Sequence, residues 1–314
     1  EEINRNLPIW MNYEPGSTFK IITLASSLEE NTVDLQNDHF YDGGSVRVAN
    51  AKIKCWKTKG HGAQTFLQVV ENSCNPGFVA LGQRLGKERL FSYIEKFGFG
   101  KKTGIDLNGE ATGIIFKLDR VGEVELATTA FGQGISVTAL QQVTAVSAIV
   151  NGGTLYTPYI VSSVGDDSKS PVIKKENIIT KETSDVVKYA LESVVANGSG
   201  RNAYIENYRI GGKTGTAQKV GSDGRYMQGN YVLSFIGFMP ADNPDYVMYI
   251  AIDHAKGVTQ YGGVVSAPIA RNVFKDIISI HDIKEDTKGI PKSYRWDDIV
   301  YKMIPDVIGK TKKE

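Results

Sequence analysis

In Ser17-Thr18-Phe19-Lys20 a serine precedes a lysine by three residues, which on a helix puts a hydroxyl and an amine one turn apart on one face. A serine hydroxyl is a weak nucleophile until a base in contact takes its proton. Lys20 can be that base only when uncharged, and burial or a neighbouring cation are the two forces that lower a lysine pKa. Lys213, in Lys213-Thr214-Gly215-Thr216, is the candidate cation. Between these strings lies Ser73-Cys74-Asn75, ahead of Pro76. There Ser73 can relay a proton to a leaving amine, while Asn75 can orient Lys20 and hold a substrate amide. If Ser17 opens a helix, its N–H has no intrahelical acceptor and is available to a developing oxyanion. Gly211, Gly212 and Gly215 keep the third string free of bulk, as close approach of a substrate backbone demands. Lys213 offers charge to a substrate carboxylate, and Thr214 and Thr216 offer hydroxyls. The chemistry this set suits is acyl transfer through a serine ester.

Each string taken alone has an ordinary structural account. Ser17 can be an N-cap with Lys20 an exposed helix lysine. Ser73 to Asn75 can be a polar helix end before proline, and Lys213 a lysine in a glycine-flanked turn. The joint occurrence, in this order, is what selects the chemistry.

The surrounding pattern supplies elements to hold them. Apolar positions Ile21, Ile22, Leu24, Ala25 and Leu28 predict a helix from Ser17 to about Leu28. Val46, Val48 and Ile53 alternate in a hairpin spanning Phe40 to Trp56 that turns at Ala49-Asn50. Helices are expected over Thr65–Asn72, Pro76–Leu85, Glu88–Phe97, about 140–150 and Ser184–Val195. Two strands, Val232–Met239 and Tyr246–Asp253, are joined by a Pro240-Ala241-Asp242-Asn243-Pro244 turn, and a helix over Pro268–Ile280 covers one face. Lys213–Thr216 should lie on an edge strand facing the serine. The fold class is α+β: an antiparallel sheet flanked by helices, with a helical subdomain inserted.

At 314 residues and 41% hydrophobic content the chain can form a large core, and a net charge of +1 gives no reason to invoke nucleic acid. No apolar run is long enough to cross a bilayer. The first motif begins only a few residues in, so an upstream part is expected to have been left out.

With the motifs placed, the chain resembles the transpeptidase domain of class B penicillin-binding proteins, whose motif set is a serine nucleophile, an activating lysine and a polar wall on each side. The stretches Tyr13–Lys20, Asn72–Pro76, Phe131-Gly132-Gln133-Gly134, Asn151-Gly152-Gly153 and Gly212–Gln218 all look like family landmarks. Cys55-Trp56, His61-Gly62 and Glu71–Phe78 are most similar to the Gram-positive sporulation branch. The resemblance covers the chain to about Ile280 and implies a penicillin-binding/serine β-lactamase-like fold. It implies that Ser17 attacks the D-Ala-D-Ala bond of a peptidoglycan stem peptide, with Lys20 as base and Ser73 and Asn75 as the second wall. Lys213, Thr214, Gly215 and Thr216 would form the carboxylate site, and the N–H groups of Ser17 and Thr216 the oxyanion hole. β-Lactams would acylate Ser17, no cofactor is needed for the chemistry, and a membrane glycosyltransferase is the implied partner. A spore-cortex role and a place on the extracytoplasmic face, held by an N-terminal anchor outside this chain, follow from the same likeness. Residues 1–283 would be the transpeptidase domain. Residues 284–314 would be a linker and the start of a truncated β-lactam-associated repeat domain, on the likeness of Ile304–Gly309. A class D-like β-lactamase is the nearest rival, although that class carries an apolar residue where Asn75 stands; a β-lactam receptor without turnover is the other.

Cys55, His61 and Cys74 lie close together, with Cys74 inside the second motif. Asp42, on the first strand of the expected hairpin, could approach Cys55 at the end of the second. Two thiolates, an imidazole and a carboxylate suit a tetrahedral structural zinc. Relatives carrying a cysteine about where Asp42 lies favour it over Asp38 or His39 as fourth ligand. A Cys55–Cys74 disulfide and a pair of buried free thiols remain open.

Overall fold

The structure, a computed structural model, describes residues 5–221 and 224–292. The stretch resembling a repeat domain lies outside the described residues. After the short helix α1 (Leu7–Trp10), a 3₁₀ turn over Gly16–Phe19 leads into α2 (Lys20–Glu29). Ser17 therefore sits in a tight turn ahead of the α-helix, which corrects the single helix expected from Ser17. Gly16 sets that turn: it adopts φ +55° and donates its N–H to Gly132 O at 2.9 Å. A Cβ on Gly132, itself at φ +83°, would lie 2.1 Å from Gly16 O, so the Phe131–Gly134 landmark exists to let two backbones touch. Every residue from Lys20 to Ser27 is buried, so α2 is a core helix with the motif at its mouth.

Next come β1 (His39–Asp42), β2 (Ser45–Val48), β3 (Ala51–Lys54) and β4 (Gly62–Thr65). β2 and β3 make the expected hairpin, with Val46 opposite Ile53 and Ala49 at positive φ in the turn. β1 does not extend that hairpin. It pairs antiparallel with β4, placing Asp42 opposite Gly62. Asp42 thus lies in the β1–β4 pair while Cys55 follows the end of β3, which corrects the expected approach across one hairpin. Gly44, at φ +93°, ends β1 by turning the chain under Asp42, whose Oδ1 accepts its N–H at 2.8 Å.

The helical region comprises α3 (Phe66–Glu71), α4 (Asn75–Leu85), α5 (Lys87–Lys96), α6 (Glu123–Thr129) and α7 (Ala139–Val150). Thr65 with Gln68 and Thr138 with Gln141 form capping boxes that fix the starts of α3 and α7. Two short pairs follow, from β5 (Leu155–Thr157), β6 (Ser163–Val164), β7 (Asp167–Ser168) and β8 (Val172–Lys175). Helix α8 (Lys181–Asn197) then returns to the core.

The last elements are β9 (Gly211–Val220), β10 (Tyr226–Met239), β11 (Tyr246–Asp253) and α9 (Gly262–His281). The three strands form an antiparallel sheet in the order β11-β10-β9, so β9 is an edge. From Val232 to Met239 β10 is buried on both faces, and its alternation divides the interior. Phe235 and Met239 join Ala267, Ala270 and Phe274 of α9, while Ile236 and Phe238 join the main core with α2 and α8. No helix among the described residues is long and apolar enough to cross a membrane.

Candidate active site

The mouth of α2, the α3–α4 loop and edge strand β9 meet around a cleft of about 370 Å³. Ser17, Ser73, Asn75, Thr214 and Thr216 line it, all named from sequence. Lys20 and Lys213 lie beneath it, each 0% exposed. Lys20 Nζ donates to Asn75 Oδ1 at 2.7 Å, to Ser73 O at 2.8 Å and to Ser73 Oγ at 3.2 Å. Lys213 Nζ donates to Ser73 Oγ at 2.7 Å and to Thr214 O at 3.1 Å. Ser73 Oγ is therefore the junction between two buried amines, with Ser17 in the cleft above.

Burial is what pulls Lys20 down, to about 7, against the opposing charge of Cys74 and Cys55. Lys213 is held well below its usual range, by burial first and then by the Lys20 charge. Of the two forces expected to neutralise Lys20, burial is the one that acts; the mutual repulsion falls on Lys213. Two adjacent amines that both favour the neutral state can pass a proton through Ser73.

Ser73 is held in an uncommon conformation. Its φ of +51° places a non-glycine residue in the left-handed region. Its N–H donates to Val70 O and the Cys74 N–H to Val69 O, at 3.1 and 3.0 Å. These are the two bonds of a Schellman motif closing α3, with serine at the position glycine usually takes. The left-handed turn lifts the Ser73 hydroxyl toward both lysines just before α4 begins at Asn75. Trp56 braces the same loop, its Nε1 donating to Asn72 O at 2.8 Å.

The opposite wall is regular. Lys213, Thr214, Gly215 and Thr216 of β9 pair with Ile236, Phe235, Ser234 and Leu233 of β10. Their outer edge packs on the Ser17 turn, where a Cβ on Gly215 would come within 3.0 Å of Thr18 Cγ2. Thr214 Oγ1 donates to Ser199 Oγ at 3.1 Å, and Gly262 N–H donates to Thr216 Oγ1 at 3.1 Å.

Asp42, Cys55, His61 and Cys74 converge, their ligand atoms all within 4.8 Å of one another. His61 Nδ1 lies 2.8 Å from Asp42 Oδ2 and 3.5 Å from Cys55 Sγ, and Cys74 Sγ donates to Asp42 Oδ2 at 3.3 Å. Ligand–ligand edges around a tetrahedral zinc are roughly 3.3–3.8 Å for such donors, so the set fits the ion with small adjustment. Gly60 makes the convergence possible: a Cβ there, at φ +73°, would lie 2.1 Å from Asp42 O. Both cysteines are buried, and their sulfurs are not joined in a disulfide. A hydrogen bond from Cys74, then His61, hold Cys55 at about 6 against burial, while the same bond and burial push Cys74 up. Burial raises the Asp42 carboxyl, but the bonds it accepts outweigh that and leave it below its usual value.

Sequence reasoning missed several lining residues: Trp56, Ser199, Arg201, Tyr231 and Tyr261. Tyr231 lies within β10, ahead of the expected strand, and the others come from loops and short turns with no periodic signature. For Arg201 the only signal is a polar residue in a glycine-rich turn, Gly198-Ser199-Gly200-Arg201.

This arrangement brings together the groups that serine acyl transfer needs. The family model for the penicillin binding protein transpeptidase domain matches residues 2–275, and the chain belongs to that family. Among individual proteins, it is 59% identical to stage V sporulation protein D of Bacillus subtilis over 98% of this chain and 48% of that protein. It is 30% identical to peptidoglycan D,D-transpeptidase FtsI of Escherichia coli, over 91% of this chain and 47% of that one. The chain thus spans about half the length of these relatives. Penicillin binding protein 3 of Mycobacterium tuberculosis, solved with aztreonam, superposes with a TM-score of 0.81 at 28% identity, covering 92% of this chain and 67% of that one. The fold is the α+β fold of penicillin-binding transpeptidases.

Proposed function

We propose that this chain is a serine D,D-transpeptidase that cross-links peptidoglycan stem peptides. The observation that carries the reading is the Lys20–Ser73–Lys213 network under the cleft that Ser17 lines. Neutral Lys20 takes the proton as Ser17 Oγ attacks the carbonyl of the D-Ala-D-Ala bond. The Ser17 and Thr216 N–H groups hold the oxyanion. The C–N bond then breaks, and the terminal D-Ala leaves with a proton relayed through Ser73 and Lys213. Asn75, Thr214, Gly215 and Thr216 hold the donor peptide. An acceptor amine attacks the Ser17 ester, the C–O bond breaks as the amine's proton passes through the network to Ser17 Oγ, and the new amide bond is the cross-link. A β-lactam enters the same path, but its ring-opened acyl group stays on Ser17.

The proposal extends to setting. The likeness to a sporulation protein supports a part in spore cortex synthesis, and the likeness to cell-wall penicillin-binding proteins supports a place on the extracytoplasmic face of the membrane. A membrane glycosyltransferase is the partner class that supplies glycan strands. Residues 1–283 are read as the transpeptidase domain, and 284–314 as a linker with a stretch that resembles the start of a β-lactam-associated repeat domain. The chemistry needs no cofactor. Asp42, Cys55, His61 and Cys74 hold a structural zinc, supported by their convergence. A zinc ion held by these four residues would stiffen the Ser73–Asn75 loop, a structural role and not a catalytic one.

The test is acylation by a fluorescent penicillin followed by mass spectrometry. The adduct should map to Ser17, persist for many minutes, and vanish in Ser17→Ala. Release within seconds would make the chain a β-lactamase, and stable labelling without cross-linking of lipid-linked glycan strands would make it a receptor.

A further inference from the structure

In the proposed reaction the oxyanion lies between the N–H groups of Ser17 and Thr216, which belong to different elements. Its fit therefore depends on how the 3₁₀ turn over Gly16–Phe19 seats on β9. The seat is close. A Cβ on Gly16 would lie 3.0 Å from Ala217 Cβ and 3.3 Å from Thr216 O. One on Gly215 would lie 2.3 Å from Ser234 Oγ, 3.0 Å from Thr18 Cγ2 and 3.4 Å from Pro15 O. Thr18 Oγ1 donates to Pro15 O at 2.8 Å, closing the turn on itself. The Ser234 hydroxyl thus fills the bare face of Gly215, against the turn that carries Ser17.

Two tyrosines stand behind that hydroxyl. Tyr249 of β11 lies opposite Ile236, so it faces the same side of the sheet as Ser234, one diagonal step away. Tyr13 comes from the chain just ahead of the turn, held by two backbone bonds with Val137, and its ring stacks on Tyr249 at 6.4 Å between centroids. Burial raises the Tyr249 phenol, and the hydroxyls of Ser234, Tyr13 and Thr18 draw it partly back. Burial, then Tyr249, hold the Tyr13 phenol well above its usual value. Both phenols therefore stay protonated and can donate. Neither phenol oxygen reaches solvent or makes a well-formed hydrogen bond, however. Incompletely bonded hydroxyls in the interior cost stability that phenylalanine would not. A local cost carried at the back of the nucleophile turn points to a function there.

We propose that Tyr249 is a positioning residue for the oxyanion hole: with Tyr13, Thr18 and Ser234 it forms a buried seat of hydroxyls that fixes the Ser17 N–H against the Thr216 N–H. This rests on the transpeptidase reading and goes beyond it. The seat touches no substrate. It holds two donors at the spacing the tetrahedral intermediate needs, so it lowers the barrier and leaves ground-state binding alone.

The experiment compares wild type, Tyr249→Phe, Ser234→Ala and the two changes combined. For each it measures the acylation rate constant and the pre-acylation dissociation constant for benzylpenicillin, the affinity for an acylaminomethyl boronic acid that forms a tetrahedral adduct on the nucleophile, and thermal melting. Tyr249→Phe should slow acylation by about tenfold, short of the hundredfold that a displacement of about 1 Å can cost. It should weaken the boronate by a similar factor, keep the dissociation constant within about twofold, and melt no lower than wild type. The combined variant should lose little beyond the larger single loss, because the hydroxyls act as a unit. Acylation by Tyr249→Phe within about twofold of wild type overturns the inference. So does a loss that appears in the dissociation constant or comes with a lower melting temperature, and so do losses that add in the combined variant. Should Tyr249→Phe fail to fold, Ser234→Ala decides: slower acylation at unchanged dissociation constant and melting supports the seat, and any other pattern overturns it. Wild type that forms no Ser17 adduct sinks the transpeptidase reading as well, whereas wild-type acylation matched by every variant sinks the seat alone.

Discussion

The two walls of the cleft are built on opposite principles. The β9 wall is regular strand: each residue from Lys213 to Thr216 has a fixed partner on β10, and both sheet faces are packed. The Ser73–Asn75 wall is a loop between helices, shaped by a Schellman turn and by one polar cluster, Asp42, Cys55, His61 and Cys74. A strand in a buried sheet is specified redundantly, by many bonds and by side-chain alternation. The loop depends on a handful of atoms whose arrangement changes with their protonation or metal state. One wall resists everything but bulk, while the other responds to chemistry.

Replacing Lys213 with Met separates the catalytic from the structural contribution of the regular wall. Acylation should fall about a thousandfold, the range for loss of a proton-transfer group. Stability at pH 7 should rise instead. The folded-state pKa of Lys213 is depressed, so folding strips a proton that the unfolded chain keeps. Wild-type stability therefore gains with rising pH between the folded and unfolded pKa values, and Lys213→Met should lose that part of the gain. Melting curves at pH 7 and pH 9 check both signs, and a variant less stable than wild type at pH 7 contradicts the account.

The irregular wall should fail differently. Cys74→Ser, or chelation of the wild type, should slow acylation by about ten- to a hundredfold, the usual scale for a disturbed supporting shell. Hydrogen exchange should quicken around Asp42–Gly44 and His61–Asn75 while β9 and β10 stay protected. Metal analysis should find one zinc per chain in the wild type and little in the variant. A metal-free preparation that acylates at full rate removes zinc from the picture.

The walls also differ in how legible they were. Lys213–Thr216 could be placed on an edge strand from glycines, hydroxyls and the apolar run of Val232–Met239, because strand patterning is local. Asp42, Cys55, His61 and Cys74 could be named, but the way they meet could not. It depends on β1 pairing with β4 across the whole β2–β3 hairpin, a non-local choice with no periodic trace. The left-handed Ser73 was equally hidden, since serine carries none of the signal that glycine would at a helix end. Strands β5 to β8 escaped because Val172, Ile173 and Val164 are exposed, so no inward and outward alternation was written there. Arg201 was missed because a lone arginine in a loop becomes meaningful only once the cleft is closed around it.

Ser73→Gly tests whether the left-handed turn is strained for the sake of its hydroxyl. Glycine takes positive φ freely, whereas other residues give up about 1 kcal/mol or more there. The variant should gain up to about 1 kcal/mol in denaturant unfolding, offset by the greater freedom glycine has in the unfolded chain. It should lose acylation. A fall in stability would mean that the Ser73 Oγ bonds to the two lysines outweigh the strain.

The smallest effect links the walls. Lys20 works as a base when neutral, so the acylation rate should rise with pH through an inflection near 7 and level off above it. Burial sets that value, and the electrostatic influence of the cysteine pair, whose ionised member is Cys55, opposes it. A zinc ion on those sulfurs would neutralise the opposing charge and favour neutral Lys20. Chelation should therefore move the inflection upward, by less than about one unit, because the cluster acts through space and not by a direct bond. Rate–pH profiles before and after chelation measure the shift. An inflection that moves downward would reverse the sign of the coupling; one that stays put while the plateau falls would mean that the cluster only shapes the loop and is electrostatically independent of the base it supports.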